Sequence, residues 1–140
     1  MWRILFAADG SQDSAAAAKF LAAMPFPAGS RVRVVSVAGE FPARVYAGLE
    51  SLTGAQQVER EWAKEAAETA SAALQREGLE VSTIVRVGQP AHQILDEADD
   101  FRADLVVVGS RGLSRLEAFM LGSVSGNVAL TRTARFRRSR

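Results

Sequence analysis

Asp104-Leu105-Val106-Val107-Val108-Gly109-Ser110-Arg111-Gly112 is the stretch that decides the fold of this chain. Its first half is an apolar, β-branched run of the kind that fills a central strand of a parallel sheet, covered on both faces. Its second half is a glycine-bearing loop, and nine residues further on comes a second small pair, Gly122-Ser123. A strand that ends in such a loop and then feeds a helix is a common α/β solution for holding phosphate. Positions without side chains let main-chain N–H groups approach the oxygens, and a helix N-terminus adds a favourable dipole.

Working outward, the rest of the chain alternates. Trp2 to Ala8 reads as a first strand, and Asp9-Gly10-Ser11 leads into a helix from about Asp13 to Met24, with Ser11 or Asp13 placed to cap it. Arg31 to Ala38 reads as a second strand. Residues 39–54 lack a period and read as a loop. A long helix over Ala55–Glu77 carries the stripe Val58, Trp62, Ala66, Ala70 and Ala73, in which Trp62 is assigned to packing. Leu79–Val87 is the third strand. Pro90 opens a helix whose buried face is Ile94, Leu95, Ala98 and Phe101, and Asp104–Val108 is the fourth strand. From Gly122 a last short helix carries Val124, Val128 and Ala129. The order β-α-β-α-β-α-β-α predicts an α/β fold, a single-domain, doubly wound parallel sheet. In such sheets ligands bind beyond the carboxyl ends of the strands, where Asp9, Val37 and Gly109 all fall.

Composition narrows the class. The chain has 140 residues, 48% of them hydrophobic and 24% charged, which suits one globular domain. It has no cysteine and one histidine, so thiolate chemistry is absent and a zinc site has no ligand set. No apolar run is long enough to cross a bilayer, and the expected location is cytoplasmic. The net charge of +1 conceals an asymmetry, because the last nine residues hold five arginines and no acid while residues 1–131 are acidic on balance.

Several features together resemble the universal stress protein family. They are Ala7-Ala8-Asp9-Gly10-Ser11 at the end of the first strand, Val87-Gly88-Gln89-Pro90, the Asp104–Gly109 strand, and the full G-x2-G-x9-G-[ST] spacing, over residues 2–131. The resemblance, in its ATP-binding branch, implies strand order 3-2-1-4 with a fifth strand, a homodimer, and ATP held with Mg2+. It implies that Asp9, flanked by Ala7 and Ala8, meets the ribose or adenine, and that Val37 offers its backbone to the base. Gly109, Arg111, Gly112, Gly122, Ser123, Val124 and Ser125 would surround the phosphates. Read by itself, Asp9 can equally cap the first helix, Val37 can be a core residue, and Arg111 a solvated loop charge.

Other polar groups read as ordinary surface. His92 is assigned to solvent, and Asp96-Glu97 and Asp99-Asp100 to a solvated helix end. No lysine-bearing phosphate loop and no nucleophile–base pair is legible, so no catalytic residue is assigned. The tail departs from the family. Where a mostly apolar fifth strand is expected, Thr133–Arg140 has Phe136 as its only large apolar residue. A division follows into a nucleotide-binding domain, 1–131, and an arginine-rich tail, 132–140. That tail is read as a disordered extension, an edge strand, or a basic arm for an acidic partner, nucleic acid not being favoured. The reading is thus an ATP-binding stress-response or signalling module. A slow ATP hydrolase and a nucleotide-free interaction protein are the alternatives.

Overall fold

The computed structural model describes residues 2–39, 51–109, 123–125 and 128–132. In chain order the elements are β1 (Arg3–Ala7), α1 (Gln12–Ala22), β2 (Ser30–Ala38), α2 (Ser51–Leu74), β3 (Leu79–Val87), α3 (Pro90–Phe101), β4 (Leu105–Gly109), β5 (Ser123–Ser125) and β6 (Val128–Arg132). The sheet runs β3-β2-β1-β4-β6-β5. Its first four strands are parallel in the expected order 3-2-1-4, with Leu5 beside Arg33 on one side and Val106 on the other.

Strand parity sorts the core into two layers. Ile4, Phe6, Val32, Val34 and Val107 point to the face covered by α1 and α2, where they meet Ala17, Leu21, Ala67 and Leu74. Leu5, Val35, Val106 and Val108 point to the opposite face and pack on Ala91, Ala98 and Phe101 of α3. Ile4–Phe6 of β1 and Val106–Val108 of β4 are therefore apolar at every position, because neither face of the sheet sees water there. The crossovers that carry α1 and α2 lie on one side of the sheet and the one carrying α3 on the other. That reversal leaves a crevice at the carboxyl end of β1.

Local chemistry fixes the joints. The Ser11 hydroxyl accepts from the Ser14 N–H at 3.1 Å and caps α1, as one of the two expected candidates. Gln89 caps α3, its side-chain oxygen accepting the His92 N–H at 2.8 Å, with Pro90 in the first turn. The Asp104 carboxylate accepts the Arg3 N–H at 2.9 Å, pinning the start of β4 to the start of β1.

Several expectations are corrected. The helix predicted from Gly122 is replaced, over the described residues, by β5 and β6, with β6 antiparallel to β4 from Gly109↔Val128 to Leu105↔Arg132. Val128-Ala129-Leu130-Thr131 is too short for its period to distinguish helix from strand, and the free edge of β4 needs hydrogen-bond partners that such a run supplies. The long helix buries Ala63, Ala67, Ala70 and Leu74, a stripe turned from the predicted one, and leaves Trp62 65% and Val58 43% exposed. The acids of α3 are not all solvated, since Glu97 is only 2% exposed. The loop expected over 39–54 ends sooner, since α2 begins at Ser51, and Arg132 of the tail expected over 132–140 closes β6; residues 40–50 and 133–140 lie outside the described residues.

Candidate functional site

The carboxyl ends of β1, β2 and β4 meet the first turns of α3 around a crevice of about 90 Å³. Ala7, Ala8 and Asp9 come from β1 and the turn after it, Val35 and Val37 from β2, Val108 and Gly109 from β4, and Pro90, Ala91 and Ile94 from α3. Among the described residues the walls are small or branched apolar groups, and Asp9 is the one charged side chain that lines them. The space is well below the ~300–1,000 Å³ of pockets that enclose a drug-sized ligand. It suits one flat, apolar-faced ring, the remainder of a ligand lying outside.

Asp9 is held without being used up. One carboxylate oxygen, Oδ1, accepts the Ser11 N–H at 2.9 Å, and the Asp9 N–H donates to the buried Ser14 hydroxyl at 3.3 Å. No hydrogen bond to the second oxygen, Oδ2, arises among the described residues. The cap of α1 is Ser11 and not Asp9, whose Oδ1 serves only the turn before the helix. Gly10, at φ +80°, makes the turn that lets the carboxylate fold back in this way.

Gly109 has a reason of its own. A Cβ built there would lie 3.0 Å from the Asp13 carbonyl carbon and 3.2 Å from its oxygen. The glycine thus lets the end of β4 press against the first turn of α1, in addition to lining the crevice. Gly88, at φ +147°, packs under the Gln93 side chain, whose Nε2 would sit 2.6 Å from an added Cβ.

Of the residues singled out from sequence, Ala7, Ala8, Asp9, Val37 and Gly109 come together in this crevice. Ser123, Val124 and Ser125 lie in β5, which pairs with β6 and so stands two strand spacings, roughly 9–10 Å, from β4. Arg111, Gly112 and Gly122 fall outside the described residues. Sequence reasoning did not assign Val35, Pro90, Ala91, Ile94 or Val108 to the site. The α3 residues were findable, because the helix returning from β3 on the opposite face must start beside the ends of β2 and β1. His92 is exposed, as expected, and no cluster of three metal-ligating side chains occurs among the described residues. A second, wider hollow of about 500 Å³ lies between α1 and α2, with Trp62 and Ala66 among its lining. Among the described residues predicted for the site, Asp9 is the one that lines it.

Comparison with known proteins gives a consistent result. The sequence model of the universal stress protein family matches residues 1–131. The universal stress protein MJ0531 of Methanocaldococcus jannaschii is 30% identical over 140 residues, covering 90% of this chain and 74% of that one. The universal stress protein YxiE of Bacillus subtilis is 50% identical over 52 residues, covering 37% of this chain and 35% of its own. The chain thus spans about a third of that relative's length. Among solved structures, that of MJ0577 from M. jannaschii aligns with a TM-score of 0.64 at 27% identity, covering 85% of this chain and 81% of the other. An Arabidopsis thaliana family protein with AMP bound aligns at a TM-score of 0.63 and 18% identity, covering 85% and 83%, a likeness of fold.

Proposed function

Because the chain belongs to the universal stress protein family, we propose that its crevice binds an adenine nucleotide and that the protein acts as a nucleotide-dependent stress-response or signalling module. The observation that carries this reading is the crevice itself: a largely apolar slot of base-like size with the Asp9 carboxylate in its lining. Val35, Val37, Ala91 and Ile94 offer a purine ring dispersion contacts on both faces. The Asp9 carboxylate suits the hydroxyls of a ribose, which donate readily to a carboxylate. The Arabidopsis neighbour with AMP bound supports the choice of adenine nucleotide by fold likeness.

The finer assignment is ATP with Mg2+. Its phosphates run out past Gly109 toward Arg111, Gly112, Gly122 and Ser123–Ser125, as the glycine spacing suggests. The guanidinium of Arg111 would supply a charge-assisted donor, and bare main-chain amides the rest. The ion would enter with the phosphates it neutralises. The domain over 1–131 is then the nucleotide-binding unit, expected to act as a homodimer. No helix among the described residues is long and apolar enough to cross a membrane.

The test is to extract the purified protein with acid, identify any nucleotide by chromatography, and titrate the emptied protein with ATP, ADP and AMP, with and without Mg2+. An adenine nucleotide in the extract, or saturable one-site binding, supports the reading. An empty extract together with no binding at millimolar nucleotide overturns it. Following ADP release over hours, against a Gly122→Val variant, separates binding from turnover; equal release from both assigns no hydrolysis to the site.

A further inference from the structure

Beneath the crevice, on the face covered by α3, lies an ion network that the sequence concealed. Glu97 of α3 is 2% exposed and bridges two strands: its Oε2 accepts from Arg33 of β2 at 2.9 Å and its Oε1 from Arg86 of β3 at 2.8 Å. The two guanidinium groups keep 33% and 22% of their exposure. Arg33 also lies over the Phe101 ring at 4.4 Å. Arg86 uses its Nε to hold the Gln93 side-chain oxygen at 2.8 Å, and touches Asp100 at 3.4 Å.

The network is aimed at the crevice wall. Gln93, once fixed by Arg86, lies across Gly88, the hinge between β3 and α3. Its neighbours Ala91 and Ile94, with Pro90, form the α3 side of the crevice. A buried carboxylate is a poor source of net stability, because desolvating it offsets most of the Coulomb gain. What it does supply is direction: one guanidinium N–H from each of two strands, received by the two oxygens of one carboxylate, fixes the helix along its axis and in rotation. Apolar contacts of small groups such as Ala91 and Ala98 leave that register loosely defined.

We infer that Glu97, with Arg33 and Arg86, is a positioning device that sets the base-side wall of the nucleotide crevice and thereby its base selectivity. This rests on the nucleotide reading above. Moving α3 by a fraction of an ångström shifts Ile94 and Ala91 against the purine face and so changes how deep and at what tilt the ring seats, which sets how well the differing edges of ATP and GTP align with the strand ends. Glu97 touches no ligand and acts only through the helix.

The experiment compares ATP and GTP dissociation constants by calorimetry for the wild type, Glu97→Gln and Glu80→Gln. The last breaks the exposed Arg31–Glu80 pair on the same two strands, 51% and 69% exposed, and is expected to change nothing. Glu97→Gln is expected to weaken ATP about tenfold and to lower the ATP-over-GTP preference. Without nucleotide, hydrogen exchange at residues 91–95 is expected to quicken while that of β1 stays unchanged. If Glu97→Gln does not accumulate folded, Gln93→Leu removes the acceptor for Arg86 Nε while leaving the Glu97 ion pairs in place, and the same loss of preference is expected. A folded variant with wild-type affinities, preference and exchange overturns the inference and leaves the nucleotide reading standing. A wild type that binds neither nucleotide overturns both.

Discussion

Replacing Gly109 with alanine separates two explanations of the glycine that ends β4. The added methyl carbon would lie 3.0, 3.1 and 3.2 Å from the carbonyl carbon, Cβ and carbonyl oxygen of Asp13. Two of those atoms are main chain in the first turn of α1, so no rotamer change relieves the contact. The helix itself has to move by a few tenths of an ångström. It is anchored by the Ser11 cap and by the buried Ser14, Ala17, Ala18 and Leu21, and it resists. Overpacking of this kind costs about 1–3 kcal/mol. For a chain of this size that corresponds to a fall in Tm of roughly 3–12 °C. Thermal unfolding followed by circular dichroism, without nucleotide, reads the effect directly, and urea titration converts it to free energy. Moving α1 also shifts Ser11, whose N–H holds the Asp9 carboxylate of the crevice, so nucleotide affinity is expected to fall with stability. An unchanged Tm with lost binding would refute the packing argument and leave the glycine serving ligand space alone.

Ile94→Trp fills the crevice from the α3 side and is expected to abolish nucleotide binding with little change in Tm; retained affinity, measured by calorimetry, would place the ligand elsewhere. Gly88→Ala combines φ +147° with an approach of 2.6 Å to Gln93 Nε2, and is expected to cost about 1–3 kcal/mol by urea unfolding. Trp62→Ser removes a side chain that is 65% exposed, so stability should stay within about 0.5 kcal/mol of the wild type. The indole itself should be open to iodide quenching, and a shielded, stability-bearing Trp62 would contradict the observed rotation of α2.

What was legible in the sequence follows from how strongly each residue constrains its neighbours. Val106-Val107-Val108 could only be a two-face buried strand, and Leu79–Val87 was bounded by Gly78 and Gly88, so both emerged with nearly their observed limits. In α2 the abundance of alanine makes several stripes equally apolar. The eye follows Trp62, whereas packing against the sheet chose the line of Ala63, Ala67 and Leu74. The segment after Gly122 failed for want of length, its pairing being decided by the open edge of β4. Half of the crevice was visible because strand ends carry small residues and a lone acid. The half built by α3 depended on three-dimensional return of the chain. Glu97 was hidden because its partners lie 64 and 11 residues away on two strands, and nothing local distinguishes a buried acid from its solvated neighbours.

Methyl NMR during an ATP titration would test most directly whether a purine enters between the strand ends and α3. Shifts concentrated on the methyls of Ala7, Ala8, Val35, Val37, Ala91 and Ile94, saturating together, are the expected result. Shifts that instead gather on Ala15, Ala18, Ala66 and Ala73 between α1 and α2, or that never saturate, would contradict it.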